Sequence, residues 1–375
     1  MNSEFVSFGK FARDAIKIFM QYSYSMNNRK SIVGGGGHHS CDFCDVISVE
    51  NIFLAWEEFS QGKKSNKGVA NFELNLEDHL FKMHDELVTG KFKLHPYKVC
   101  IIQDPKRRVI HIASVRDRVL FHAIYRKLYH VFDPLFIHSV YSSRIQKGTH
   151  AGIDRLEVFL RKVSKNYSQT AFILKCDIRK FFDTVDHHIL INLISKHITD
   201  NRLLNLIKEI IESFNHTPGR GIPLGNVTSQ LFANIYMNSF DQFVKHELKM
   251  KYYIRYCDDF VIIDESEQVL KNLIPKIFNF IKDNLKLDLH PRKTEIRKIR
   301  QGSDFLGYVS LPHYRILRTS TKNRMLRRIS NIKSQYEQGL VSENRFVNTI
   351  SSYLGILKHC KSEKVLGQIE RIFWD

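Results

Sequence analysis

The stretch that decides the fold is residues 254–263, which read Ile254-Arg255-Tyr256-Cys257-Asp258-Asp259-Phe260-Val261-Ile262-Ile263. Two short runs of β-branched and aromatic residues flank a pair of carboxylates, a pattern that predicts a strand, a tight turn and a second strand. An ordinary exposed hairpin turn would also explain the pair, because Asp is common in turns. Adjacent carboxylates repel each other unless a cation lies between them, and hard oxygen ligands favour Mg²⁺ over zinc.

A carboxylate on a second strand makes a metal site the better interpretation. The apolar run over residues 172–178 carries Asp177 near its end. Two neighbouring strands could bring Asp177, Asp258 and Asp259 together around a pair of metal ions. Two ions about 4 Å apart can activate an attacking oxygen and stabilise a leaving oxygen in phosphoryl transfer. The sequence therefore predicts a three-carboxylate metal site.

The charge of the chain indicates its partner. Among 375 residues, 57 Lys and Arg stand against 39 Asp and Glu, which gives a formal net charge of +18. Such an excess favours a polyanion, either nucleic acid or an anionic membrane surface. No apolar run approaches the length of a transmembrane helix and the first residues do not resemble a signal peptide, so we expect nucleic acid and no membrane. Six scattered cysteines do not form a disulfide framework, which predicts a reducing, cytoplasmic location.

A glycine-rich segment lies near the N-terminus, at residues 34–44. Gly34 to Gly37 predict a flexible joint, because ordering four glycines costs much conformational entropy. Cys41 and Cys44 could bind a metal together with a neighbouring His. A structural zinc usually needs a second paired motif, and the chain has no second Cys-x-x-Cys. A plain loop is therefore the expected structure.

The rest of the chain predicts helices that alternate with short strands. Apolar spacing predicts helices over residues 5–25, 49–59, 70–90 and 266–284, further helices beginning near Ser114, Asp186 and Val227, and a basic helical region from Arg318 onward. A basic turn at residues 104–108 joins two predicted strands. It could be a solvated turn, but Lys and Arg there are also suitable triphosphate ligands.

Taken in order, these stretches resemble the motifs of reverse transcriptases of the bacterial group II intron and retroelement lineage, over about residues 50–320. Residues 177–183, with Phe181-Phe182 after Asp177, resemble the first metal motif of that family, and Tyr256-Cys257-Asp258-Asp259 resembles its Tyr-x-Asp-Asp box. The resemblance implies an RNA-directed DNA polymerase acting on dNTPs. It also implies that Asp177, Asp258 and Asp259 hold two Mg²⁺ ions that activate a primer 3′-hydroxyl and neutralise the departing pyrophosphate.

The same resemblance assigns roles to other residues. Phe182 matches an aromatic gate that excludes a ribose 2′-hydroxyl. Lys106 and Arg108 match cations that grip the incoming triphosphate, and Lys293 matches a Lys that can protonate pyrophosphate. Residues 305–308 resemble the primer grip. The implied partners are an RNA template and an RNA/DNA primer-template duplex.

One motif departs from the pattern of most relatives. The loop before the helix at Val227 reads Leu224-Gly225-Asn226, followed in the helix by Thr228-Ser229-Gln230, where most relatives have Gln-Gly and Ser-Pro. This reading resembles the reverse transcriptases of diversity-generating retroelements, which copy RNA with errors opposite adenine. Leu224, Gly225 and Gln230 are therefore candidate nucleotide-binding residues. Loss of an amide that would hydrogen-bond the nucleotide or template makes low fidelity physically reasonable.

The resemblance implies an α+β fold, the right-hand polymerase with an antiparallel-sheet palm. We expect an N-terminal extension over residues 1–48, fingers over 49–171, a palm over 172–310 and a basic helical thumb over 311–375. No endonuclease, RNase H or maturase-like segment is recognisable, so self-contained intron mobility is not expected. A diversity-generating retroelement would supply a small basic accessory protein. The alternatives are an antiphage defence reverse transcriptase using a noncoding RNA and a non-catalytic RNA-binding protein on a polymerase fold.

Overall fold

A computed structural model of the chain describes residues 41–103 and 106–374. These residues form two compact units, one up to Arg318 and one from Thr319 onward. The predicted helix over residues 5–25 and the glycine run at residues 34–37 lie outside the described residues. Among the helices that the structure describes, none has the length and apolar character needed to cross a membrane.

The first half of the larger unit is mostly helical. Its helices and strands are α1 (Phe43–Ile47), α2 (Val49–Ser60), α3 (Lys67–Glu73), α4 (Leu76–Val88), β1 (Lys98–Ile102), β2 (Arg108–Ile112), α5 (Val115–Phe132), a 3₁₀ turn (Asp133–Leu135) and α6 (Thr149–Val163). Strands β1 and β2 form an antiparallel hairpin. The predicted start of α5 is confirmed, because Ser114 Oγ accepts the Asp117 N–H at 3.1 Å as an N-cap.

Two predictions in this half were wrong. The helix predicted over residues 70–90 is two helices, because Asn75 leaves the helical region with φ −127° and ψ 49° and separates α3 from α4. The segment from Cys41 was expected to be a loop, yet Asp42 caps the short helix α1. The Phe43 N–H also donates to Asp200 at 2.9 Å, a tertiary contact that holds the first turn of α1.

The second half of the larger unit is built on two antiparallel sheets. Its elements are β3 (Phe172–Asp177), α7 (Phe181–Thr184), α8 (His187–Ser195), α9 (Asn201–Glu212), α10 (Val227–Gln242), a π turn (Phe243–Glu247), β4 (Tyr253–Tyr256), β5 (Asp259–Asp264), α11 (Glu267–Leu285), β6 (Glu295–Lys298), a 3₁₀ turn (Ile299–Gln301), β7 (Ser303–Phe305), β8 (Tyr308–Leu311) and β9 (Tyr314–Leu317). The strand orders are β4-β5-β3-β6 and β7-β8-β9.

Strands β3 and β5 lie at the centre of the four-stranded sheet, helices α10 and α11 pack on one of its faces, and α6 contacts β4 and β5. Phe240 of α10 packs against Phe260 of β5 with ring centroids 4.9 Å apart, and Ile277 of α11 is fully buried. Residues of β3 and β5 alternate between this apolar face and the opposite face. The second sheet turns from β7 into β8 at Leu306 and Gly307, whose φ angles of +51° and +88° suit a two-residue hairpin.

The smaller unit consists of three helices, α12 (Thr319–Glu337), α13 (Glu343–Leu357) and α14 (Glu363–Trp374). Their helical character agrees with the prediction from Arg318 onward. Phe346 of α13 stacks on Tyr336 of α12 at 4.8 Å and meets Phe373 of α14 edge-on at 6.1 Å. These aromatic contacts join the three helices.

Candidate active site

Three aspartates meet at one end of the central sheet. The antiparallel register places Asp177, the last residue of β3, directly opposite Asp259, the first residue of β5. The N–H of Ile178 donates to the carbonyl of Asp258 at 3.2 Å, so the turn before β5 is bonded to the end of β3. Cα atoms of directly opposed antiparallel residues lie about 4.5–5.5 Å apart. The fold therefore brings together the carboxylates that the sequence singles out.

The turn that presents Asp258 and Asp259 depends on an unusual residue. Cys257 has φ +57°, a left-handed conformation that non-glycine residues rarely adopt. Its N–H donates to Ser142 Oγ at 2.9 Å, and its carbonyl accepts from Arg255 Nη1 at 3.0 Å. Both peptide groups of the residue are therefore held by partners from outside the turn.

The carboxylates lie in an environment that disfavours negative charge. Burial raises the pKa of Asp258, and the charge of Asp177 adds to the effect. Burial, followed by the charge of Asp258, raises the pKa of Asp259, against an opposing influence of Lys175. A bound cation would remove this penalty, and carboxylate oxygens are the ligands that Mg²⁺ prefers.

The three carboxylates are not arranged as a complete set of metal ligands. Within residues 41–103 and 106–374, no three His, Cys, Asp or Glu side chains are grouped so that they could hold an ion. Asp177 Oδ2 instead accepts a hydrogen bond from Lys293 Nζ at 2.7 Å. The residues present nevertheless fit a divalent ion, because the site combines hard oxygen donors with three acidic groups, which outnumber the neighbouring Lys175 and Lys293.

The segment after α11 brings Lys293 to the site. The N–H of Arg179 donates to the carbonyl of Asp288 at 2.8 Å, and the N–H of His290 donates to the carbonyl of Asp177 at 2.7 Å. The chain then turns, since the Lys293 N–H donates to His290 at 3.0 Å. These backbone bonds fasten the segment to the end of β3.

The β1–β2 hairpin carries the two basic residues that are predicted to bind the triphosphate. Lys106 lies in its tip and Arg108 begins β2, and both side chains are exposed. Ile110 of the same strand approaches the loop before α10, because a Cβ atom added to Gly225 would lie 3.4 Å from Ile110 Cγ2. Gly225 itself has φ +112°, a conformation that favours glycine. The hairpin and the loop that carries Leu224 are therefore neighbours.

The remaining predicted residues lie on two adjoining elements. The carbonyl of Phe182 accepts the Ile222 N–H at 2.8 Å, and its ring centroid lies 5.6 Å from that of Phe181. Gln230 is exposed on α10, where its Oε1 accepts from Ser143 Oγ at 3.1 Å. In the part of the chain that the structure describes, the predicted nucleotide-binding residues make no hydrogen bond or ion pair with the three aspartates. These nucleotide-binding residues are Lys106, Arg108, Phe182, Leu224, Gly225 and Gln230.

Sequence reasoning missed a buried polar cluster beneath the aspartate turn. Arg255 of β4 is 0% exposed and pairs with the equally buried Asp241 of α10 through bonds of 2.8 and 2.6 Å. Tyr253 Oη donates to the same carboxylate at 2.7 Å, and Arg255 Nη1 also donates to Asn234 Oδ1 at 3.2 Å. An Arg inside an otherwise apolar strand was the available signal, because a buried guanidinium requires an acidic partner.

Comparison with known proteins identifies the family. The family described as "Reverse transcriptase (RNA-dependent DNA polymerase)" matches residues 76–310, more than half of the chain and the whole of the aspartate site. The chain belongs to the reverse transcriptase family. The match confirms the predicted enzyme class, an RNA-directed DNA polymerase, and the predicted right-hand polymerase fold.

Similar proteins narrow the lineage of this reverse transcriptase. It is 24% identical to protein YkfC of Escherichia coli K12 over 294 residues, which cover 68% of this chain and 75% of YkfC. It is 22% identical to the group II intron-encoded protein LtrA of Lactococcus lactis subsp. cremoris over 338 residues, covering 70% of this chain and 55% of LtrA. A structure of apo telomerase from Candida tropicalis, truncated from the C-terminal domain, is similar at a TM-score of 0.42 and 16% identity, covering 62% of this chain and 56% of that one.

The family match and the sequence relatives YkfC and LtrA confirm the predicted group II intron lineage. The match spans little more than half the length of LtrA. The special resemblance to diversity-generating retroelements stays a prediction, as do the individual roles of the site residues.

Proposed function

We propose that this reverse transcriptase synthesises cDNA on a structured RNA template by two-metal nucleotidyl transfer. The observation that carries the proposal is the register that sets Asp177 opposite Asp259, with Asp258 in the adjoining turn. In this proposal the three carboxylates would hold two Mg²⁺ ions, whose chemistry would be to activate the primer 3′-hydroxyl and to neutralise charge on pyrophosphate. Burial and a neighbouring carboxylate raise the pKa of both Asp258 and Asp259, which supports a site that binds cations.

The other residues of the site would bind the nucleotide and manage its proton. Lys106 and Arg108, exposed on the β1–β2 hairpin, would bind the triphosphate as a point charge and a bidentate fork. Phe182 would exclude the 2′-hydroxyl of a ribonucleotide. Lys293 is within hydrogen-bond distance of Asp177, where it would hold the proton that pyrophosphate takes up on leaving.

A primer-extension assay tests this proposal. The full chain, an RNA template, a DNA primer, dNTPs and Mg²⁺ should give cDNA, whereas the double variant Asp258→Ala, Asp259→Ala should give none and still bind the RNA. The matched control is Asp283→Ala, which removes an exposed carboxylate of α11. Extension by the double variant would show that the metal site is assigned wrongly. Extension by neither protein would favour the alternative of a non-catalytic RNA-binding protein.

For the biological role we propose a diversity-generating retroelement. Support comes from Leu224 before Gly225, which removes an amide from the predicted nucleotide-binding loop. The proposed setting is the cytoplasm, with a small basic accessory protein as a further partner. An antiphage defence role with a noncoding RNA is the competing possibility.

Sequencing the RNA and cDNA associated with the native protein distinguishes these roles. In a diversity-generating retroelement, the cDNA should derive from one neighbouring RNA and carry substitutions concentrated opposite adenine. The variant Leu224→Gln should lower that substitution frequency in vitro, because an amide is restored in the loop. Faithful or repetitive cDNA, copied from an RNA with no matching target gene, would instead support defence.

A further inference from the structure

We infer that Ser142 and Asn234 are positioning residues for the aspartate turn, which they hold in place through Cys257. The inference rests on the proposed polymerase function, because it concerns the residues that would bind the metal ions. Neither residue belongs to the motifs that the sequence singles out. Both are buried, with 5% and 1% of their surface exposed.

The turn at Cys257 needs support from outside. Its left-handed φ of +57° carries a steric cost for a residue with a Cβ atom. Asp258 and Asp259 follow directly, and their mutual repulsion favours conformations that separate them. A strained backbone of this kind persists only where the surrounding structure fixes it.

The hydroxyl of Ser142 provides part of that support. Ser142 Oγ accepts the Cys257 N–H at 2.9 Å and donates its own hydrogen to Asn234 Oδ1 at 3.2 Å. A hydroxyl can make both bonds at once, because it has one donor and two acceptor sites. Asn234 also donates through Nδ2 to the carbonyl of Ser142 at 2.9 Å, which fixes the orientation of both side chains.

Asn234 links this arrangement to the other side of the turn. Its Oδ1 accepts from Arg255 Nη1 at 3.2 Å, and the same nitrogen donates to the carbonyl of Cys257 at 3.0 Å. The N–H and C=O groups of Cys257 are therefore held by two partners that share Asn234. A closed network of this kind, with its members satisfied, leaves the turn few alternative conformations.

The backbone around Ser142 is fastened to the strand that leads into the turn. The Arg255 N–H donates to the carbonyl of Ser139 at 3.0 Å, and the Tyr141 N–H donates to the carbonyl of Arg255 at 3.0 Å. These backbone hydrogen bonds therefore fix the position of Ser142 beside β4. Removing its hydroxyl would release the Cys257 N–H without changing the charge of the site.

The test compares Ser142→Ala with Ser142→Thr, which keeps the hydroxyl, and with the control Ser195→Ala, which changes an exposed residue at the end of α8. Amide hydrogen exchange of the metal-free full chain is the first measurement. We expect the Cys257 amide to exchange at least about tenfold faster in Ser142→Ala than in the wild type. The other two variants should retain wild-type exchange at this amide.

The second measurement is Mg²⁺ affinity, by calorimetry and by the Mg²⁺ concentration that half-saturates primer extension. Loss of a supporting hydrogen bond behind metal ligands typically weakens metal binding by about 10- to 100-fold, and we expect about tenfold for Ser142→Ala. The KM for dNTP at saturating Mg²⁺ and the RNA affinity should stay unchanged. A general loss of stability would instead lower kcat through the folded fraction without moving the Mg²⁺ requirement.

Wild-type Cys257 exchange and wild-type Mg²⁺ affinity in Ser142→Ala would overturn the inference. So would equal defects in Ser142→Ala and Ser142→Thr, because the hydroxyl would then not be responsible. Failure of the wild-type chain to extend a primer would refute the proposed function instead. The exchange measurement does not depend on catalysis, so the two failures can be told apart.

Discussion

Lys293 Nζ lies 2.7 Å from Oδ2 of Asp177, so one of the three aspartates has a cation of the protein's own as its partner. The Lys side chain is 40% exposed, whereas that of Asp177 is only 10% exposed. The ammonium group can therefore reach both the carboxylate and any ligand in front of it. This geometry suits a residue that transfers a proton at the edge of the aspartate site.

The first prediction concerns Lys293→Met. We expect kcat for nucleotide addition to fall about 100-fold, the lower end of the range for a lost general acid. The Mg²⁺ concentration for half-saturation should not rise, because the variant removes a positive charge beside Asp177. Lys271→Met, in an exposed helix pair with Glu267, is the control. An unchanged kcat in single-turnover measurements would exclude proton transfer by Lys293.

The second prediction concerns the stability of the metal-free protein as a function of pH. The folded-state pKa of Asp259 is raised by burial and by Asp258, so between its unfolded and folded values the folded chain binds more protons than the unfolded chain. The free energy of unfolding contributed by this group is therefore present at low pH and is lost as pH rises. Asp259→Asn removes the charge that causes the loss.

We therefore expect Asp259→Asn to raise the Tm in EDTA at pH 8, by on the order of 2–4 °C, and to change it little at pH 4. Thermal unfolding at several pH values would measure this difference. Asp283→Asn, at an exposed position of α11, should show neither effect. A lower Tm for Asp259→Asn at pH 8 would contradict the explanation.

The third prediction concerns the buried pair of Arg255 and Asp241. Arg255→Met should lower the free energy of unfolding by about 3–5 kcal/mol, because it leaves a fully buried carboxylate without its cation. Adding Asp241→Asn should recover most of this loss, since the amide is neutral and its oxygen still accepts from Tyr253. Urea unfolding of both single variants and the double variant gives the coupling energy. Purely additive effects would mean that the pair does not act as a unit.

The fourth prediction concerns the contact between α6 and the Leu306–Gly307 turn, which lies in the predicted primer grip. A Cβ atom at Gly152 of α6 would lie 2.9 Å from Leu306 Cδ1 and 3.4 Å from Tyr141 Cβ. Gly152→Ala should therefore displace the Leu306 side chain and raise the KM for primer-template about tenfold, with a smaller effect on the KM for dNTP.

The double variant Gly152→Ala, Leu306→Ala tests the steric cause. It should recover part of the primer affinity, because the clash is removed. Gly355→Ala is the control, since its added methyl group meets no atom within 4 Å. If Gly152→Ala binds primer-template normally, the turn does not depend on this contact.

The aspartate site could be predicted because its residues lie in strongly patterned strands. The apolar runs before Asp177 and on both sides of Asp258 predict the two strands, and the antiparallel pairing of β3 with β5 then brings the carboxylates together. Periodicity could not locate the break at Asn75, because apolar residues continue on both sides of it. It could not find α1 either, since this helix has only five residues and its Phe43 N–H donates to Asp200, which lies 157 residues away in sequence.

The support beneath the site was also beyond sequence patterns. Ser142, Asn234 and Asp241 are small polar residues in a loop and on a helix, and nothing in their local sequence indicates a common neighbour. Only Arg255, placed between apolar neighbours in β4, suggested a buried acid. Which acid it contacts is decided by how α10 packs on the sheet.

The pairing of Asp177 with Asp259 limits where insertions and deletions can occur in the chain. Side chains of a strand alternate between two faces, so one inserted or deleted codon within β3 or β5 would turn a carboxylate away from its partner. Insertions in the long connections, unlike insertions in the tight β4–β5 turn, carry no such penalty, because they leave the alternation of side chains in each strand intact. The meeting of these two carboxylates thus depends on an even number of added or lost residues in two short strands, whereas the lengths of the long connecting segments do not affect it.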